Sequence, residues 1–130
     1  MPLRILIVDD SLPIRRLLCF FIERNTDWRV CGEAENGQIA IEKVAELKPY
    51  AVILDLSMPL INGLDAAREI TRIAPEVHLL MFTMHVSEQL CRDAHAVGIE
   101  DVISKSETLG DDLLASLRKL CPLHLPATGD

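Results

Sequence analysis

The chain has 130 residues, 49% of them hydrophobic and 25% charged, a balance that supports one folded domain and excludes a disordered segment. Its formal net charge of -7 excludes a broad basic face for nucleic acid and suits a positively charged partner or a bound cation. No apolar run reaches the length of a membrane span and no signal peptide precedes the first predicted strand, so a soluble, cytoplasmic protein is expected.

Short apolar runs alternate with helical patterns along the chain. Residues 3–8 (L-R-I-L-I-V), 51–54 (A-V-I-L) and 77–82 (V-H-L-L-M-F) are nearly continuous apolar runs, which predict strands covered on both faces. Residues 28–33 (W-R-V-C-G-E) alternate polar and apolar side chains, as an edge strand does, and residues 101–104 (D-V-I-S) make a short fifth strand. Between them, Ile14, Leu17, Leu18, Phe21 and Ile22 repeat at helical spacing behind Pro13 in a first turn. A second helix over 37–47 places Ile41, Val44 and Ala45 on one side and stops at Lys48-Pro49. A third over 63–74 carries Leu64, Ala67 and Ile70 and stops before Pro75. Ser87 is the N-cap of a fourth helix that runs to Val97 and is closed by Gly98, and Leu113, Leu114, Leu117 and Leu120 form a final stripe. Five such β-α units predict a doubly wound, five-stranded parallel sheet with helices on both faces.

Residues 1–121 are read as the domain, with Met1 as a natural start, and 122–130 as a linker-like or frayed tail. The tail contains L-P-A-T-G, which resembles a sortase signal but lacks the apolar span and basic tail of one, and is read as chance or an added segment. Cys19, Cys31, Cys91 and Cys121 are scattered without C-x-x-C spacing, so they are read as packed or idle thiols rather than metal ligands.

The polar residues at the strand ends carry the chemistry. The first strand runs into Asp9-Asp10, the third ends at Asp55, the fourth at Thr83 and the fifth at Ser104-Lys105. In a sheet of order 2-1-3-4-5 these ends meet beside the point where strand order reverses, the position at which doubly wound sheets bind ligands. Three carboxylates repel one another on their own but form an oxygen cage for a hard divalent cation such as Mg2+. With Lys105 and the Thr83 hydroxyl added, the set is sufficient for phosphoryl transfer to an aspartate, which needs chiefly positioning and charge neutralisation.

Over residues 3 to about 120 the chain closely resembles the response-regulator receiver family. The pieces are I-L-I-V-D-D-S, V-I-L-D-L-S-M-P-L-I-N-G, L-L-M-F-T-M-H and the terminal S-K, each a weak motif alone and a specific one in combination. The resemblance implies a flavodoxin-like fold with Asp55 as phosphoacceptor, Thr83 as switch hydroxyl and Lys105 as phosphate contact. It implies Mg2+ held by Asp10 directly, by Asp9 mainly through water, by Asp55 and by the backbone carbonyl of Ser57. It further implies a phosphohistidine donor on a sensor kinase or phosphotransfer protein, self-catalysed dephosphorylation and no turnover substrate, hence no enzyme in the ordinary sense. The wording D-L-S-M-P and F-T-M-H is most similar to receivers that precede helix-turn-helix output domains, in transcription regulation. Helix 1 or the helix 4–strand 5–helix 5 face pairs in homodimers of such receivers; direct nucleic-acid or membrane binding by this chain is not expected.

Two positions depart from the family. Val102 stands where a Tyr or Phe usually reports movement of the switch hydroxyl, and Ser106 stands where a proline often follows the lysine. His85 and Ser57, each two residues beyond a key position, are placed where the family tunes phosphate lifetime; a plain surface histidine is the equal alternative for His85. His78 is read as a packed or partly exposed strand histidine, Arg15 and Arg16 as a solvated face with a partner contact as the alternative, and Cys19 and Phe20 as packed, with a contact surface on helix 1 as the alternative. A flavin module of the same architecture is disfavoured because D-D-S-L-P is the wrong loop for an anion, and a D-x-D phosphatase because D-L-S lacks the second carboxylate. A receiver-like interaction domain working without phosphorylation is the remaining rival, with Val102 as its clue.

Overall fold

Strands and helices alternate through the computed structural model, which describes residues 2–105 and 110–121. In chain order they are β1 (Arg4–Val8), α1 (Leu12–Asn25), β2 (Arg29–Ala34), α2 (Gly37–Leu47), β3 (Ala51–Leu54), α3 (Gly63–Ile73), β4 (His78–Thr83), α4 (Glu88–Ala96), β5 (Ile99–Ser104) and α5 (Asp111–Leu120). All strand pairs are parallel and the order is β2-β1-β3-β4-β5, the doubly wound arrangement read from the sequence. Among the described residues no helix is long and apolar enough to cross a membrane. The expectations for Ser106 and for the tail 122–130 fall outside the described residues.

Alternation along β1 divides the core. Leu6 and Val8 face one side, with Val44 of α2, Ile70 of α3 and Ala94 of α4, whereas Ile5 and Ile7 face the other, with Leu18 and Ile22 of α1 and Leu113 and Leu117 of α5. Each such fully buried aliphatic side chain contributes about 1.5–3 kcal/mol of transfer free energy. Four helix starts are fixed by side-chain caps. The Ser11 hydroxyl accepts from the Ile14 N–H (3.3 Å), Asn36 from Ile39 (2.8 Å), Asn62 from Asp65 (2.9 Å) and the Ser87 hydroxyl from Leu90 (3.0 Å). The stops are as read, with Lys48 left-handed (φ 50°) before Pro49 and Gly98 (φ 98°) closing α4.

Several local expectations are corrected. On α1, Leu18 and Ile22 are buried but Leu17 is 44% and Phe20 63% exposed, because a helix lying on a sheet buries one stripe and the apolar run is wider than that. Cys19 is half-buried as expected. Ala45 of α2 faces solvent while Ala40 and Val44 face the core. The strand β5 begins at Ile99, earlier than expected; a register shift beside Leu79 accommodates Glu100, whose carboxylate lies 2.6 Å from His78 Nδ1. His78 also packs on the Tyr50 ring, 4.8 Å between centroids, at the start of β4 and so at the sheet edge away from Asp9 and Asp55.

Where α3 starts, backbone meets backbone. A Cβ on Gly63 would stand 2.2 Å from the Asp55 carbonyl oxygen, while the Gly63 N–H donates to the Leu56 carbonyl at 2.8 Å. Gly63→Ala is therefore expected to cost about 1–3 kcal/mol in urea denaturation, the range for overpacking against rigid atoms. An unchanged midpoint would show that the loop after β3 yields freely.

Candidate functional site

The backbone ladder brings the site together. Asp9 N–H donates to the Ala34 carbonyl (3.0 Å), Asp55 N–H to the Val8 carbonyl (3.0 Å) and Lys105 N–H to the Thr83 carbonyl (2.7 Å). These bonds continue the parallel pairing one residue past each strand, so the polar residues that follow the apolar runs are delivered to one edge. Asp9, Asp55 and Thr83 are buried, at 2%, 6% and 4% exposure, and Asp10 is exposed.

Asp9, Asp10 and Asp55 each offer a carboxylate oxygen, and these oxygens lie within 4.8 Å of one another. Lys105 Nζ lies 2.7 Å from Asp9 Oδ2 and 3.3 Å from Asp55 Oδ2, the one ammonium shared by two buried carboxylates. The remaining Asp9 oxygen accepts the Ser11 N–H at 2.9 Å, and Asp55 Oδ1 accepts the Leu56 N–H at 2.8 Å. Burial, and then the Asp9 charge, raises the Asp55 pKa above the ordinary carboxylate value, against the opposing pull of Lys105 and the Leu56 N–H. For Lys105 burial alone acts downward, but the hydrogen bond to Asp9 and the charges of Asp55 and Asp9 outweigh it, so its pKa is raised and it stays an ammonium. Three carboxylates and one ammonium leave a surplus of negative charge, and an all-oxygen donor set suits Mg2+.

The sequence-predicted residues are thus together in the case of Asp9, Asp10, Asp55 and Lys105. Thr83 ends the neighbouring strand β4, and its buried hydroxyl makes no hydrogen bond to the described residues. Ser57 lies exposed in the loop after β3, and His85 is exposed after β4. Val102 pairs with Met81 in the β4–β5 ladder and packs half-buried against the α3–α4 side of the core. Beside it lies an open groove of about 390 Å3, lined also by Val86, Ile103 and Ala115.

Arg15 was read as part of a solvated face, and the structure corrects this. Its side chain is only 12% exposed; Nε is 2.9 Å from Glu33 Oε1 and Nη1 donates to the Asp9 backbone carbonyl at 2.7 Å. The guanidinium thus braces the end of β1 from behind, whereas Arg16 is exposed as expected. No local sequence signal marks this pair, because Arg15 and Glu33 meet only once β2 lies beside β1. Glu33 also accepts from the Cys19 thiol at 3.7 Å; burial first, and then this carboxylate, pushes the Cys19 pKa up to about 12, so it is an idle thiol at neutral pH.

The raised Asp55 pKa has a consequence for stability. The folded state holds the Asp55 proton to a higher pH than the unfolded chain, so its contribution falls as pH rises from the ordinary carboxylate value through the folded one, then stays constant. Metal-free Asp55→Asn is expected to melt a few degrees above the wild type at neutral pH, with the difference vanishing in acid. Thermal scans across pH check this; a variant that melts lower at neutral pH would mean that the Lys105 pair outweighs burial and repulsion.

Comparison with known proteins agrees with this geometry. The chain matches the model of the response regulator receiver domain over residues 5–118. It is 38% identical over 102 residues to the chemotaxis protein CheY of Thermotoga maritima, covering 78% of this chain and 84% of that protein. It is 30% identical over 119 residues to the response regulator protein VraR of Staphylococcus saprophyticus, covering 92% of this chain but only 56% of that protein. Of several other relatives it spans about a third or less, as with the 30% it covers of a Nocardioides protein-glutamate methylesterase/protein-glutamine glutaminase. Among solved structures it is similar to the response regulator domain of Thermotoga maritima CheB, with a TM-score of 0.85 and 32% identity over 92% of this chain and 96% of that one. A match across nearly the whole described fold, with this strand order, makes the chain a response regulator receiver domain of two-component signal transduction.

Proposed function

We propose that the chain is a phosphorylation-dependent switch that accepts a phosphoryl group on Asp55 from a phosphohistidine of a sensor kinase or phosphotransfer protein. The observation that carries this reading is the convergence of Asp9, Asp10 and Asp55 with a single ammonium, Lys105, shared between the two buried carboxylates. An Asp55 carboxylate oxygen attacks phosphorus as the P–N bond to the donor imidazole breaks, and the electron pair leaves with the imidazole nitrogen, which takes a proton. Attack of water on phosphorus later breaks the P–O bond and returns the carboxylate with inorganic phosphate. The ammonium of Lys105 draws a phosphoryl oxygen in place of the Asp55 carboxylate it now holds, and the buried Thr83 hydroxyl donates to another. Asp9, Asp10, Asp55 and the Ser57 carbonyl would hold Mg2+, which when bound supplies charge neutralisation for the transferring group.

Movement of Thr83 then passes to β5 without an aromatic reporter. The route proposed is the Lys105 N–H to Thr83 carbonyl bond and the Met81–Val102 pair, both of which couple β4 to β5 directly. Residues 1–121 are proposed as the receiver unit and 122–130 as a linker-like or frayed tail. The unit is proposed to act in the cytoplasm, as the receiver part of a transcriptional regulator and without a turnover substrate. Homodimerisation remains one outcome of phosphorylation to be tested.

The test is intact mass after incubation with acetyl phosphate. Wild type with Mg2+ is expected to gain one phosphoryl group, and Asp55→Asn, or wild type with chelator, to gain none. No gain by a folded protein that binds Mg2+ would favour the phosphate-independent interaction domain.

A further inference from the structure

The Arg15 side chain is only 12% exposed, yet it pairs with none of the three carboxylates of the cluster. Its guanidinium reaches backbone instead, with Nη1 donating to the Asp9 carbonyl at 2.7 Å and Nε held 2.9 Å from Glu33 Oε1. Glu33 is fixed in turn. Its carbonyl accepts from Lys43 Nζ at 2.7 Å, and its other carboxylate oxygen accepts from the Cys19 thiol. The Arg15 backbone closes a circuit, since its N–H donates to the Ser11 carbonyl (3.0 Å) and the Ser11 N–H donates to Asp9 Oδ1 (2.9 Å). Burying an ion pair costs both charges their hydration, so a pair of this kind adds little net stability. What this one supplies is a fixed direction for one carbonyl.

That carbonyl belongs to the peptide group joining Asp9 to Asp10. A peptide group is planar, so holding its oxygen also holds the place of the Asp10 Cα. Asp9 has further holds, from Lys105 and from the Ser11 N–H. Asp10 has none: it is exposed, and its carboxylate makes no hydrogen bond or ion pair to the described residues. Its backbone sets where it stands. We propose that Arg15, held by Glu33, is a positioning residue for the cation site, orienting the Asp9–Asp10 peptide so that Asp10 completes the oxygen cage with Asp9 and Asp55. The inference rests on the Mg2+-dependent phosphoacceptor reading of Asp55. An arginine is required because its planar fork meets two partners in one geometry, which the point charge of a lysine does not.

The experiment is calorimetric titration of the full, metal-free chain with Mg2+, beside its labelling by acetyl phosphate over a range of Mg2+. Three variants separate position from charge. Arg15→Met keeps the stem and loses both contacts, and Arg15→Lys keeps the charge without the fork. Arg16→Met removes a positive charge from the exposed neighbour. Arg15→Met is expected to bind Mg2+ roughly tenfold more weakly, the lower end of the loss when a group that orients a metal ligand is removed. Arg15→Lys is expected to be weakened as well, and Arg16→Met to bind as the wild type does. Excess Mg2+ is expected to restore the labelling rate of Arg15→Met, because Asp55 and Lys105 are untouched. Tighter binding by Arg15→Met would overturn the proposal, since only a repelling charge would then have been lost. Unchanged affinity with a lower melting temperature would overturn it too, leaving Arg15 a structural brace, as would a labelling rate that stays low in excess Mg2+. If Arg15→Met fails to fold, wild-type affinity in Arg15→Lys overturns the proposal. Failure of acetyl phosphate to label the wild type at any Mg2+ concentration would overturn the phosphoacceptor reading, while the titration still reads the cation site.

Discussion

Two buried carboxylates share one ammonium, and the edge of the sheet is organised around that deficit. Asp9 and Asp55 lie on adjacent strands with Lys105 2.7 Å and 3.3 Å away, and Asp10 adds a third negative charge that nothing in the cluster offsets. The sheet supports the cost. Val8, Leu54 and Phe82 anchor the ends of their strands in the core, Arg15 ties the Asp9 carbonyl to Glu33, and backbone N–H groups take one oxygen of each buried carboxylate. Affinity for a divalent cation would follow from the same frustration, since the cation relieves the negative charge that folding leaves uncompensated, whereas a phosphoryl group adds negative charge and needs a cation and Lys105 beside it.

Much of this was legible in the sequence because each signal was local. Continuous apolar runs marked β1, β3 and β4, prolines marked where α2 and α3 stop, and the carboxylates follow those runs directly. What was not legible depended on neighbours across the sheet. Arg15 reads as a solvated arginine until β2 places Glu33 beside it. Leu17 and Phe20 read as core until the sheet claims only the stripe of Leu18 and Ile22. The start of β5 at Ile99 was hidden because Glu100 interrupts the apolar pattern and finds its partner, His78, on another strand.

The same logic separates chemistry from communication. The residues proposed to meet the phosphoryl group sit on strand ends, where register fixes them, while exposed apolar side chains such as Leu12 and Phe20 lie on outward helix faces. Val102 lies in the β4–β5 ladder but lacks the ring that usually reports outward, so in the proposed switch the ladder itself would carry the change.

An unrelieved cluster of carboxylates that creates a cation site must lose affinity when any one of them is neutralised. Calorimetric titration of the folded, metal-free protein with Mg2+ tests it most directly, comparing wild type with Asp9→Asn and Asp55→Asn. One site is expected in the wild type, with an affinity weaker by roughly tenfold or more in each variant, as when one of few carboxylate ligands is removed. Equal affinity in all three proteins would contradict it, and would place the cation away from the strand ends.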